Sequence, residues 1–454
     1  MSMSLSEHLP WHTRTEPRVP GPKGLPLVGV LPKFAKNPLG YITHLSRTYG
    51  DVVELGWRKN YLLTHPDAIE RVLLTDGDHF IKDEVTRALS GGLGDGLLTS
   101  HGETWKRSRK IVAPALKRSR IASYADSMVA ATDKYVETLT TGERRDIHRD
   151  LMHLTLDIVA ATLFGADVHE DAEKIGHALE ALMEEFILSA RTWRRLVPDW
   201  IPTGSKLRSR SHVADIDATL YGIIARRREQ GLGEDLLSLL LGATTEDGEH
   251  LDDAQLRNEA ITLFVAGHET TALSIGYAIY LVSRHPEVEA RLRAELEDVL
   301  SGRLPGADDT HALPWTTAIV KEAMRLYPPA WTVGRESIKP WSLGTYDFPV
   351  GSQFVLPQWV VHRDPRFWDK PGCFAPERFL NGEPSHRFAY YPFGGGGRIC
   401  VGNHFAMMEM VLVLATLYQR VRFESDDELQ LVPSVTLRPV EGIHATTWRL
   451  DRPH

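Results

Sequence analysis

Cys400 stands in the run Phe393-Gly394-Gly395-Gly396-Gly397-Arg398-Ile399-Cys400-Val401-Gly402. Four consecutive glycines permit positive φ angles and let a backbone close on something flat and bulky. The pattern predicts a helix starting just after Cys400, whose free N–H groups and dipole favour a thiolate. Arg398 adds fixed positive charge, for the thiolate or for an acid group of a cofactor. A lone thiolate beside such a loop suits axial ligation of haem iron. A phosphate-cradling loop and a buried structural cysteine are the alternatives. The phosphate loop would want Lys-Ser or Lys-Thr after its glycines, where Arg-Ile-Cys stands. The second cysteine, Cys373 in Pro-Gly-Cys-Phe, reads as a reduced thiol that is structural or partly exposed.

Other constellations lie far from this loop. Ala266-Gly267-His268-Glu269-Thr270-Thr271 interrupts an apolar helical run, with Ala266 and Thr270 on one face. A mid-helix Thr can bond the carbonyl one turn back, bending the helix and freeing polar groups for water. Glu322 and Arg325, three apart on a helix, can form an ion pair. Trp105 and Arg109 are four apart on another. Around them Lys106, Arg107, Lys110, Lys117, Arg118 and Arg120 make a basic cluster with no acidic residue among them. It is either a solvated helix face or a surface that steers an acidic partner.

Phe393, Gly396, Arg398, Cys400 and Gly402 match, at full spacing, the haem-ligand signature of the cytochrome P450 family, and Ala406 falls at its further small-residue position. Ala266 to Thr271 resembles that family's oxygen-binding helix, Glu322-Ala323-Met324-Arg325 its Glu-x-x-Arg, and Pro376-Glu377-Arg378-Phe379 its meander. The order and spacing of the motifs are also the family's, and the resemblance runs from Pro20 to the C-terminus.

The resemblance implies a haem-thiolate monooxygenase carrying haem b. It would insert one atom of O2 into a lipophilic substrate, using electrons from a separate ferredoxin or flavodoxin with its NAD(P)H reductase. Cys400 would be the axial ligand, with Phe393 packed beside it and Gly396 and Gly402 clearing the ring. Ala266 would leave room above the iron, Thr270 would hold the proton-donating water, and Glu269 would resupply it. Glu322, Arg325 and Arg378 would form a structural triad. Arg109, Arg335, Arg398, Trp105 and His362 would meet the haem propionates. Positions matching the family's pocket walls are Phe264, Ala266, Ala330, Trp331, Val333 and Ile443, with lids expected in Thr86 to Leu98 and Leu182 to Pro202. A hydrophobic pocket discriminates weakly among apolar ligands, so the substrate is expected only as a terpenoid, carotenoid or fatty-acid-like molecule. A peroxide-driven haem enzyme and a haem sensor are rivals, and the Glu269–Thr270 pair argues against both.

The elements that must position these residues follow from pattern. Val52 to Leu55 and Tyr61 to Thr64 read as paired strands, and the period is helical from about Trp105 to Leu300. Strands return around Trp341 to Leu356. A long irregular stretch, Arg363 to Gly397, precedes a last helix over about Asn403 to Tyr418. The fold class expected is mainly α with a minor β region, as one catalytic domain over 21–454 after a flexible tail, 1–20. The 454 residues are 42% hydrophobic and 25% charged, which excludes general disorder. A net charge of −8 argues against non-specific nucleic-acid binding. The most apolar helix, Ile261 to Val282, carries Glu269 at its middle, so it reads as buried and not as a membrane anchor. The expectation is a cytoplasmic monomer.

Overall fold

The structure is a computed structural model that describes residues 18–24, 29–56, 59–165, 169–191, 203–244, 248, 250–380, 382 and 384–450. Most of the expected tail, and 192–202 of the second lid candidate, lie outside the described residues.

In chain order, the elements that matter here begin with helix α1 (Pro38–Tyr49) and strands β1 (Val52–Glu54), β2 (Asn60–Leu63) and β3 (Phe80–Lys82). Helices α2 (Gly102–Ala115) and α3 (Ala125–Thr138) follow, then β4 (Glu143–Asp146), α4 (Ile147–Phe164), α5 (His169–Arg191) and α6 (Gly204–Gln230). The long helix α7 (Asp253–Ser283) leads into α8 (Pro286–Leu300) and α9 (Pro314–Leu326), then β5 (Val333–Ser337) and β6 (Gln353–Leu356). After an irregular stretch come α10 (Asn403–Tyr418), β7 (Val421–Glu424), the hairpin β8 (Leu431–Pro433) and β9 (Leu437–Pro439), and β10 (His444–Arg449). The mainly α architecture with small sheets is present as expected.

Local chemistry sets these boundaries. Asp252 caps α7 by accepting from the Gln255 N–H at 2.7 Å. Glu295 of α8 caps α9 from outside, its carboxylate accepting the Trp315 and Thr316 N–H groups at 2.6 and 2.9 Å. Both α7 and α10 are apolar all round over their last turns, so they can only lie inside other helices. Leu412, Leu414 and Leu417 of α10 are fully buried, and each such side chain contributes about 1.5–3 kcal/mol. α7 packs chiefly on α4, α9 and α10, which makes it the axis of the helical core.

The main sheet has the strand order β1-β2-β6-β5-β3. Its β2–β6 pair is parallel and the others antiparallel, and Lys82 of β3 stands opposite Arg335 of β5. An aromatic cluster of Tyr61, Phe80, Trp341, Phe348 and Phe354 packs on it, with edge-on ring pairs 4.8–5.6 Å apart that fix the strands against one another. A smaller sheet, β4-β10-β7, packs at the α4 N-terminus. Among the described residues no helix is long and apolar enough to cross a membrane.

Candidate active site

Between the middle of α7 and the loop before α10 lies a cavity of about 360 Å³. Cys400 lines it, and so do Phe393, Gly394, Arg398, Gly402 and Ala406. The loop is held by its own backbone: the Gly394 N–H donates to Tyr391 O at 2.8 Å and the Cys400 N–H to Phe393 O at 2.9 Å. Positive φ at Gly394 (74°) and Gly396 (65°) makes that turn possible. Gly396 owes its identity to a different neighbour than expected. A Cβ there would fall 1.7 Å from Leu73 O, so the loop presses on the 71–75 segment, and Gly396 does not line the cavity. Gly402 does line it, and its absent Cβ would point into open space.

The Cys400 thiol is open to the cavity and otherwise walled by protein. Burial raises its pKa, while a Gly402 backbone N–H and the charges of Arg109 and Lys82 pull the other way. A thiol in this position gains most by meeting a cation or metal that stabilises its thiolate.

Four cationic side chains line the cavity: Lys82, Arg109, Arg335 and Arg398. No Asp or Glu does so among the described residues. Arg398 donates to Ser100 O at 3.0 Å and stacks 4.3 Å over the Trp105 ring, while burial lowers its pKa to about 10. Arg335 donates to Gly334 O at 2.8 Å, and burial and Arg398 bring it to about 10. Arg109 donates to Ile399 O at 2.8 Å, directly behind the cysteine. Lys82, which sequence reasoning missed, is driven to about 7 by burial and by Arg335 and Arg398. Buried cations without buried anions are costly. A flat cofactor bearing two carboxylates and offering a metal to Cys400 meets both needs, so the residues present fit haem.

His362 does not belong to this group. It is fully buried, its Nε2 accepts the Tyr391 N–H at 3.0 Å, and burial with Arg325 and Arg363 holds it well below the usual histidine range. It is neutral and braces the chain ahead of the cysteine loop.

The expected triad forms, with both helix members fully buried. Arg325 Nε and Nη2 donate to Glu322 at 2.7 and 2.8 Å, and Arg378 Nε donates to Glu322 Oε1 at 3.0 Å. The remaining donors of Arg325 reach His362 O, Pro371 O and Cys373 O at 2.8–3.0 Å. Its guanidinium therefore stitches the irregular stretch to α9, and the role of Cys373 here is that of its carbonyl.

Across the cavity, α7 presents Ala266, Gly267 and Thr270. Thr270 Oγ1 donates to Ala266 O at 2.6 Å, leaving its lone pairs free to accept from water. Glu269 faces away: it does not line the cavity, and its carboxylate accepts from Thr436 Oγ1 at 2.7 Å and from Arg438 Nε. Burial pushes its pKa up, but Arg438, Thr436 and His268 outweigh that and lower it. Burial takes His268 itself down to about 4.

The apolar wall differs in part from expectation. Ala266, Ala330 and Val333 line the cavity, joined by Leu97, Leu98, Val159, Thr162, Met324 and Phe405. Phe264 turns into the core beside Phe164, 6.0 Å between ring centroids, because it lies two residues from Ala266 and so on another helix face. Trp331 packs with Leu39, Ile42 and Leu437 and donates from Nε1 to Ser434 O at 2.9 Å. Ile443 packs at Gly276, more than one turn along α7 from Thr270.

Comparison with known proteins agrees with this geometry. Residues 19–443 match the cytochrome P450 family. Cyclooctatin synthase of Streptomyces melanosporofaciens is 33% identical over 92% of this chain and 91% of that protein. Pentalenene oxygenase of Streptomyces avermitilis is 32% identical over 94% of this chain and 96% of its own. The crystal structure of the cytochrome P450DA haem domain superposes with a TM-score of 0.85 at 25% identity, covering 95% of this chain and 98% of that one.

Proposed function

Since this chain belongs to the cytochrome P450 family, we propose that it hydroxylates or epoxidises a terpenoid-like molecule held against Ala266, Ala330 and Val333. It is a haem-thiolate monooxygenase using haem b, O2 and electrons from a redox partner. The terpenoid assignment draws on the relatives named for cyclooctatin and pentalenene, and on the apolar wall. Haem, when bound, supplies oxygen activation that no side chain here can provide.

The observation that carries the reading is the pairing, around a single cavity, of one thiol with a ring of cations and, among the described residues, no carboxylate. Cys400 would hold the iron, and the Gly402 N–H would soften the sulfur's charge. Arg335, Arg398 and Lys82 would receive the propionates. Trp105 orients Arg398, and Arg109 steadies the cysteine loop through Ile399 O. Thr270 Oγ1 would hold a water on the α7 side of the cavity and orient its proton, and Glu269 would restore that proton. Glu322, Arg325 and Arg378 keep the irregular stretch in register behind the thiolate.

Electrons arrive from a ferredoxin or flavodoxin docked on the basic face of α2 and the turn after it. Lys110, Lys117, Arg118 and Arg120 are exposed there, and Arg109 of the same helix reaches the cysteine loop. Lys106 is partly neutralised by Glu103 at 2.7 Å, so the charge centres on Lys117 to Arg120. The protein acts as a cytoplasmic monomer, in keeping with two cysteines that form no disulfide. The test is a ligand-shift screen of the ferric protein against terpenoid, carotenoid and fatty-acid libraries. Terpenoids alone should shift the haem absorption spectrum, and a response confined to fatty acids would contradict the assignment.

A further inference from the structure

Glu269 has a feature that proton resupply does not use: its carboxylate is tied to a hairpin from the far end of the chain. Both ligands of the carboxylate, Thr436 and Arg438, sit on or beside β9. A carboxylate held this way is ionised and turned from the cavity, so it has no proton to give until the grip loosens. The same hairpin is bonded to the cavity wall. The Leu437 N–H donates to Pro329 O at 2.8 Å, and Trp331 Nε1 donates to Ser434 O at 2.9 Å. Pro329 and Ala330 line the cavity between these two attachments. A third bond, Tyr277 OH to Leu437 O at 2.6 Å, fixes β9 to α7 two turns beyond Glu269.

We propose that Arg438 is a positioning residue through which cavity occupancy controls Glu269: the resting hairpin holds the carboxylate ionised, and displacement of the Pro329–Trp331 wall by a bound molecule frees it to protonate and turn toward Thr270. The proposal rests on the resupply role given to Glu269 above. Other groups around the pair are few. His268 comes from α7 itself, His148 and His153 from α4, and Glu180 and Glu184 from α5, the last two facing Arg438. Burial holds His148 and His268 below the usual histidine range, so neither replaces Arg438 as a fixed cation near neutral pH. Burial is the largest influence on Glu269 and acts upward, so removing the ion pair leaves it opposed only by the Thr436 hydroxyl and His268.

The test reads protonation directly, in the haem-loaded resting enzyme and without turnover. The infrared C=O band of protonated Glu269 is identified by its loss in Glu269→Gln and followed as pH falls from about 8 to about 5. The wild type should show no band over this range. Arg438→Gln should show it, with a midpoint above the ordinary glutamate value, and Arg438→Lys should suppress it again. Thr436→Val, a milder change, should shift the midpoint upward by less. Filling the cavity of the wild type with 4-phenylimidazole, verified by its Soret shift, should bring the band into range. A band-free Arg438→Gln would overturn the control by Arg438, and an unmoved wild type with 4-phenylimidazole would overturn the coupling to the wall. Neither result depends on terpenoid oxidation, whose failure would count against the function alone.

Discussion

The two faces of the cavity are built in opposite ways. On the thiolate face, position is fixed redundantly. Cys400 sits in a loop closed by backbone hydrogen bonds, Arg109 clamps the preceding carbonyl, and an ion-pair triad whose two helix members are fully buried secures the segment behind it. On the oxygen face each polar group rests on only one or two side-chain partners. Thr270 spends its hydrogen on its own helix, and Glu269 is held by a two-stranded hairpin from the far end of the chain. A thiolate ligand must never move relative to the metal, because ligation sets the electronics. A proton source must move, because a permanently aligned one would deliver at the wrong time. The number of restraints here follows function, face by face.

The sharpest way to break this contrast is at the triad. Glu322→Ala leaves Arg325 buried with no counter-charge, a loss of about 3–5 kcal/mol on the general experience of broken buried pairs. The expected outcome is little or no haem-loaded protein at growth temperature, read by haem content per folded chain. A variant that loads haem normally and unfolds at the wild-type temperature would show that the thiolate face is less dependent on buried charge than its geometry implies.

Thr270→Ala addresses the other face. It removes the hydroxyl but leaves the carbonyl complex and ligand binding near wild type. Product per electron pair should fall and hydrogen peroxide should rise, with a loss of up to about 10²–10⁴-fold in product formation typical of a displaced proton donor. Full coupling in this variant would move proton placement to another group.

A smaller effect distinguishes the edge of the cavity. Lys82, driven to about 7 by burial and two arginines, is largely neutral at alkaline pH in the haem-free protein. A bound propionate raises its pKa, so haem binding takes up a proton above the haem-free value. Haem affinity should therefore fall as pH rises from about 7 to about 9, by up to about tenfold per pH unit. Below about 7 this dependence vanishes, since Lys82 is then charged in both states. Lys82→Met should bind haem more weakly and flatten the slope, measured by haem transfer to a scavenger protein across that range. Equal slopes in both proteins would remove Lys82 from the propionate site.

The contrast also explains what the sequence could reveal. Cys400, Phe393 and Gly402 lie within ten residues, and Glu322 and Arg325 within one helical turn, so their chemistry is visible as spacing. Strands β1 and β2 and helix α10 were expected within a residue or two, because each is a short apolar pattern bounded by turn residues. Lys82 joins Arg335 only through strand register, and Arg438 meets Glu269 only when a C-terminal hairpin folds back on α7. Neither pairing leaves a local trace. Phe264, Trp331 and Ile443 were misplaced for a related reason: an apolar residue next to a pocket motif is as suitable for the core as for the wall, and helix phase or a tryptophan N–H partner decides between them. His362 was misplaced because a buried histidine looks the same in sequence whether it meets a propionate or a backbone N–H.

The central claim is that Cys400 ligates haem iron as a thiolate. It is tested most directly by the absorption spectrum of the ferrous carbonyl complex of the native protein, recorded beside Cys400→Ala and Cys373→Ser. The account predicts a strongly red-shifted Soret band in the wild type, its loss in Cys400→Ala and its retention in Cys373→Ser. A native protein whose carbonyl complex absorbs like that of a histidine-ligated globin, with no sign of denaturation, would contradict it.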